Sequence, residues 1–184
     1  IIEAWYPGQS GGRAIAEVLF GDYNPGGKLP MTFYKSIEDL PPFDDYDIRN
    51  GRTYMYLKNA PLYPFGYGLS YTDFQIDNVR LKNNNLSKND TLVVYFKITN
   101  VGSRSGSEVP QLYIEDKKIK KLKAFKRIFL DKGESLDSSL KIAVSALKSW
   151  DIVKEDYTVL PGVYSAHLGT SSQDIIFTTP FNLN

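Results

Sequence analysis

The sequence predicts a mostly β chain: an antiparallel two-sheet β-sandwich preceded by a partial α/β segment with one helix. Three observations carry that expectation. Leu92, Val94, Phe96 and Ile98 alternate with Val93, Tyr95 and Lys97, the period of two that marks a strand with one buried face. Seven strand-like runs follow one another from residue 74 onward, divided by Asn, Gly, Ser and Asp turns. Helical spacing is clear at one place, where Ile15, Val18 and Leu19 share a face.

Taken in order, Ile1–Tyr6 reads as a short strand ending at Pro7. Gly8 to Gly12 turns into a helix over 11–20, with Ser10 as its cap and Gly21 as its left-handed stop. Asn24-Pro25-Gly26-Gly27 is a tight turn and Leu29–Phe33 is extended again, closing the α/β segment at 1–33. Residues 34–72 have no period. Pro41-Pro42 forbids helix there, and the many Tyr and Phe predict a connection that packs rather than floats. Then come Phe74–Leu81, the 92–98 run, Val109–Glu115, Leu122–Leu130, Ser135–Val144, Val163–Gly169 and Asp174–Phe181, with a helical turn over Ser145–Trp150. Seven strands over about 110 residues have the size of an immunoglobulin or fibronectin type III sandwich, here 73–184.

Composition removes whole classes of function. The 184 residues are 42% hydrophobic and 14% aromatic, and a chain of this mass buries about 70% of its surface, so it is no disordered tail. Its folded surface should be roughly 9,000 Å². A net charge of +1 gives no global attraction to nucleic acid, and no run reaches the ~20 apolar residues of a membrane helix. Without Cys there are no disulfides or thiolate sites, and one His leaves little for a zinc centre. Opening on Ile1 with no signal pattern, the chain reads as a truncated or processed piece.

Each motif has a functional and a plainer meaning. Gly8-Gln9-Ser10-Gly11-Gly12 matches the G-x-S-x-G elbow, which needs a later Asp and His. His167, the sole histidine, falls in a sandwich strand, so Ser10 reads as a helix start. Asn24 to Lys28 fails the phosphate-loop spacing, and Gly66-Tyr67-Gly68 lacks a third glycine; both are turns. Asp44, Asp45 and Asp47 could supply the paired carboxylates of a glycosidase, but Arg49 and Arg52 stand close enough to make them turn-formers. Lys117–Arg127 holds seven basic residues in eleven and, with Phe125, could bind an anionic glycan; the plainer reading is lysines guarding an edge strand. Asn85-Leu86-Ser87 and Asn89-Asp90-Thr91 fit the glycosylation pattern.

Longer motifs carry a resemblance. Ala4-Trp5-Tyr6-Pro7-Gly8-Gln9, then Leu19-Phe20-Gly21-Asp22-Tyr23-Asn24-Pro25 and Gly27-Lys28-Leu29-Pro30, is similar to the end of the α/β sandwich domain of glycoside hydrolase family 3. Pro64-Phe65-Gly66-Tyr67-Gly68-Leu69-Ser70-Tyr71 resembles the lead into that family's fibronectin type III-like domain. Glu108-Val109-x-Gln111-Leu112-Tyr113, Leu122-Lys123-x-Phe125-Lys126-Arg127 and Pro161-Gly162-x-Tyr164 resemble that domain itself. Ser10 departs from the acidic or small residue usual there.

The resemblance implies the C-terminal part of a retaining exo-β-glycosidase. Its Asp nucleophile and its Glu acid/base belong to upstream domains, so no catalytic, cofactor or metal residue is assigned here. Segment 41–54 looks most like β-xylosidase members, with β-glucosidase close behind, acting on β-linked oligosaccharides. With the Lys/Asn-rich composition, family habit implies a periplasmic or secreted enzyme of a Gram-negative gut bacterium. The partners implied are the upstream catalytic domains, and the helix face and strand edge predict self-association of the chain alone. Two alternatives stay open: an independent carbohydrate- or partner-binding module, and a hydrolase using Ser10 or the 44–47 acids.

Overall fold

In the computed structural model, residues 1–117 and 119–184 are described. Helix α1 (Gly11–Phe20) and a single-turn helix α2 (Thr53–Tyr56) precede all strands. These are β1 (Phe74–Leu81), β2 (Asn85–Leu86), β3 (Thr91–Asn100), β4 (Gly106–Glu108), β5 (Gln111–Asp116), β6 (Ile119–Phe125), β7 (Ile128–Leu130), β8 (Ser135–Ala143), β9 (Ser149–Asp151), β10 (Asp156–Thr158), β11 (Gly162–Gly169) and β12 (Ile175–Leu183).

Two sheets make the sandwich. One has the order β1-β3-β8, all antiparallel. The other runs β2-β12-β11-β5-β6, with only the short β2 parallel to its neighbour. The core lies between them, where Leu92, Val94, Phe96 and Ile98 of β3 meet Leu112 and Ile114 of β5 and Ala166 and Leu168 of β11. The alternation expected of 92–98 is what fills this space. The architecture is the fibronectin type III-like sandwich, with the single helix α1 in the α/β segment before it.

Some local expectations needed correcting. Ile1–Tyr6 forms no strand, because no neighbour among the described residues offers it a ladder. Leu29–Phe33, read as extended, joins the fold through one isolated bridge, Phe33 to Tyr63. Ser10 does not cap α1 through its side chain: at φ −89° and ψ 9° its carbonyl, not its hydroxyl, accepts the Ala14 N–H at 3.0 Å. Gly21 does stop the helix in the left-handed region, at φ 81°.

The 122–130 run divides into β6 and β7, since β7 leaves to pair with β4. Pro110 has no N–H to give a ladder, and β5 starts just after it. The turn after β8 is a 3-10 turn over Val144–Leu147, followed by the β9–β10 hairpin that no alternation had announced.

Candidate functional site

The segments that carry the longest motifs meet in one seam. The chain 20–33 and the chain 61–72 lie against the β4–β5 side of the sandwich, and the contacts are polar, running from the little-exposed Lys28 to exposed ones at Asn24 and the end of α1. Lys28 Nζ stands 2.7 Å from Glu108 Oε1, with both side chains under 15% exposed, and it also donates to the Gly68 carbonyl at 3.3 Å. Asn24 donates to the Ser105 carbonyl at 3.0 Å and accepts from Ser70 Oγ and the Tyr71 N–H at 3.0 and 2.7 Å. Helix α1 is tied on at its C-terminal end, where the Gly21 carbonyl accepts from Arg104 at 2.9 Å and the Val18 carbonyl from Tyr71 Oη at 2.7 Å.

Two buried amides organise the seam. Gln111 donates to the carbonyls of Gly66 at 3.0 Å and Thr170 at 2.6 Å, and accepts the Tyr113 hydroxyl proton at 2.5 Å. Asn100 donates to the carbonyls of Arg104 and Leu130 and accepts from Thr72 Oγ1 and the Gly102 N–H, using both hydrogens and both lone pairs. A buried amide this fully paired stabilises one register of its neighbours against all others.

Aromatic rings close the outer face of the five-stranded sheet. Period two puts Tyr113 of β5 on that face, yet it is wholly buried. Tyr54 of α2 covers it edge-on at 5.9 Å and stacks on Phe65 at 4.4 Å. The Tyr54 hydroxyl accepts the Leu122 N–H at 2.9 Å, and burial pushes the Tyr54 and Tyr113 phenols up from their ordinary range. Lys120 sits 5.7 Å over the Tyr113 ring. Tyr63, stacked on Tyr67 and edge-on to Phe33, extends the cover. Around Tyr54, Tyr63, Phe65 and Tyr67 the connection packs as its composition predicted, whereas Phe43 and Tyr46, 94% and 83% exposed, do not.

The residues weighed from the sequence are scattered rather than convergent. Ser10 is exposed, and no hydrogen bond joins its hydroxyl to another described group. His167 lies on the outer face of β11, with Nδ1 2.9 Å from Thr178 Oγ1 and Nε2 3.3 Å from Glu115, an approach not aligned as a hydrogen bond. Asp47 is a bidentate partner of Arg49, which draws its carboxyl down to about 2. Asp45 accepts from the Asp47 N–H and from Asn50, while Arg52 donates to the backbone carbonyls of Pro42 and Asp45. These are turn bonds, and Asp44 is exposed.

Within Lys117–Arg127, Lys120, Lys123, Lys126 and Arg127 each reach a local oxygen, on Ser172, Ala146, Ser138 and Tyr23 respectively. Lys118 of that run lies outside the described residues. Gly66-Tyr67-Gly68 is a place of close approach: a Cβ on Gly68 would lie 2.1 Å from the Gly27 carbonyl oxygen. Asn85 Oδ1 accepts from Asn182 at 2.8 Å. Among the described residues no three His, Asp or Glu side chains gather as a metal site.

Sequence reasoning missed the Gln111 and Lys28–Glu108 contacts. The one available signal was a polar-aromatic alternation, Gln111 and Tyr113, on the strand face opposite Leu112 and Ile114.

The model of the Glycosyl hydrolase family 3 C-terminal domain matches residues 1–71, and that of the Fibronectin type III-like domain matches residues 108–172. Residues 1–71 are thus a glycoside hydrolase family 3 C-terminal domain, with a fibronectin type III-like domain after it. The segments follow the family's order, with the seam at their meeting. Among family 3 relatives, a xylan 1,4-beta-xylosidase of Xylanibacter ruminicola is 44% identical over 95% of this chain, and a periplasmic beta-glucosidase of Salmonella typhimurium 38% identical over 94%. Beta-glucosidase 3B of Thermotoga neapolitana, solved with glycerol, superposes with a TM-score of 0.84 at 36% identity over 95% of this chain. The chain spans 20%, 25% and 27% of those three proteins, respectively. No helix of the described residues is long and apolar enough to cross a membrane.

Proposed function

We propose that this chain is the non-catalytic C-terminal region of a retaining exo-β-glycosidase, of β-xylosidase or β-glucosidase type, acting on plant-type β-linked oligosaccharides in the periplasm or outside the cell. In this reading residues 1–33 complete the α/β sandwich domain, 34–72 connect, and 73–184 form the domain that stabilises the assembly.

One observation carries the reading. The chain exposes 11,555 Å², about 2,500 Å² more than the roughly 9,000 Å² expected for its mass. A standard interface covers about 800 Å² per partner, so the excess is enough for a large interdomain contact. It includes Leu19 and Phe20 of α1, 64% and 84% exposed on a helix whose apolar residues need a sheet. The sandwich side of the same helix is already bonded through Gly21 and Val18. Helix α1 is therefore bonded to the sandwich on one side and open on the other, the side this reading gives to an upstream domain.

Retaining hydrolysis needs two carboxyl groups about 5 Å apart, one as nucleophile and one as acid/base. Two of the acids weighed from the sequence, Asp45 and Asp47, come near each other, and both are taken up in turn and Arg49 bonds. In this reading the reacting carboxylates come from upstream domains, and the seam holds the sandwich in fixed position against them. The 44% identity to a relative named a xylosidase favours the xylosidase form.

The test is hydrolysis by the 184-residue chain of aryl β-xyloside, aryl β-glucoside and a short aryl ester. No turnover is expected. Turnover of a glycoside would overturn the reading in favour of the 44–47 acids, and ester cleavage lost in Ser10→Ala would do so in favour of the serine.

A further inference from the structure

A hollow of about 190 Å³ opens at one end of the sandwich, away from the seam. Its floor is core: Ile114, Leu147 and Tyr164, all buried. Its rim is different, with Lys121 and Lys123 of β6, Lys148 and Trp150. Lys121 pairs across the ladder with Ile114, so both project from the core-facing side of the sheet. An apolar side chain is the usual occupant of such a position.

The electrostatics of this rim are unbalanced. Among the described residues none of Lys121, Lys123 and Lys148 has a carboxylate within 4.0 Å. The hollow's one carboxylate, Asp116, accepts a hydrogen bond from Ser149 at 3.2 Å. Lys123 is anchored on the Ala146 carbonyl at 3.0 Å, and burial, then Lys121, pulls its ammonium below the ordinary lysine range. Crowded like charges of this kind are relieved by an anion.

Beside the charges stands a flat apolar surface. Trp150 and Tyr157 meet edge to face at 5.3 Å across the β9–β10 hairpin, and each is more than half exposed. Exposed rings of this sort offer a stacking face to a ligand that is apolar on one side and wet on the other.

We propose that this hollow binds a uronate residue of an acidic polysaccharide, the carboxylate taken by Lys121 and Lys148 and the apolar face of the pyranose ring laid on Trp150. The volume suits one sugar ring rather than a buried chain. Nucleic acid fits less well, because a chain of net charge +1 whose four lining lysines, Lys117, Lys121, Lys123 and Lys148, gather at one hollow offers no track for successive phosphates. An anionic membrane also fits less well: around the exposed Ile152 and Val153 at the hairpin tip, the single Lys154 is outnumbered by Asp151, Glu155 and Asp156, a net negative set that such a surface repels. The site is independent of the proposed function, since a chain that hydrolyses nothing can still hold a polyuronate.

The test is affinity electrophoresis of the 184-residue chain in native gels containing polygalacturonate, glucuronoxylan or neutral arabinoxylan. Retardation by the two acidic polymers, weakening with added salt, and none by the neutral one is expected. Lys148→Glu, at an exposed position that leaves folding intact, and Lys121→Gln should each weaken binding about tenfold, the loss of one charge-assisted hydrogen bond. Trp150→Ala should weaken it too, while the circular dichroism spectrum stays that of the unaltered chain. Absence of retardation, equal retardation by arabinoxylan, or undiminished binding by Lys148→Glu overturns the proposal. So does binding to phosphatidylglycerol vesicles without binding to polyuronate, which would make the hairpin a membrane contact.

Discussion

The Gly66 backbone and the Gln111 side chain occupy space that no larger residue could share. The Gly66 carbonyl accepts the Gln111 amide proton, while a Cβ at Gly66 would lie 2.1 Å from Gln111 Oε1. Gly66 also holds φ at +82°, where a side chain costs about 1–2 kcal/mol. Gly66→Ala should therefore lower unfolding free energy by roughly 3 kcal/mol, the steric displacement adding to the backbone cost. Gln111→Ala should cost a similar roughly 3 kcal/mol by stranding the Tyr113 hydroxyl and two carbonyls. Urea unfolding of both single variants and the double variant would show strong non-additivity if the two act as one contact.

The Lys28–Glu108 pair joins the 20–33 segment to β4 out of reach of most water. Removing one partner leaves an uncompensated charge, so Lys28→Met should destabilise by about 3–5 kcal/mol. The double variant Lys28→Met, Glu108→Leu should recover much of that loss, because well-packed apolar groups often replace a buried ion pair at little cost. Equal destabilisation of single and double variants in urea would mean that packing, not charge, decides this contact.

Much of the sandwich was legible because its strands have one buried face. The 92–98 alternation maps directly onto the core, where Leu92 and Ile98 are wholly buried. Helix α1 and its Gly21 stop were legible for the same kind of reason, a local pattern with a local cause. The seam was not. Gln111 finds Gly66 45 residues away and Asn24 finds Ser105 81 residues away, and nothing in periodicity encodes a partner at such distance. The burial of Tyr113 was not legible either, because the ring that covers it, Tyr54, belongs to a segment with no period of its own. The β9–β10 hairpin stayed hidden because its residues are polar on both faces except at the exposed rings.

An unpartnered helix face has a measurable consequence in the chain alone. Leu19 and Phe20 project from α1 into solvent, and apolar surface of this kind drives association. Size-exclusion chromatography with light scattering should give a mass above 20.8 kDa that rises with concentration. Leu19→Glu with Phe20→Glu should return the chain to monomer while leaving its circular dichroism unchanged. A clean monomer of the unaltered chain would show that this face is not what drives contact.

His167 gives the fold a pH dependence whose sign follows from its surroundings. Burial holds the imidazole below its ordinary range; Glu115 on β5 opposes this, Lys120 on β6 adds to it, and Thr178 on β12 meets Nδ1. The folded chain therefore binds its histidine proton less readily than the unfolded chain does. Between the folded value and the ordinary value of about 6.5, the unfolded state carries more protons, so stability rises with pH in that window and falls as acid is added. Above it the histidine contributes no slope. Melting temperatures taken from about pH 5 to about pH 8 should show an acid-side loss that His167→Gln removes. Glu115→Gln should steepen the loss, because the one group favouring the charged ring is gone. An acid-side loss unchanged in His167→Gln would assign the slope to other groups.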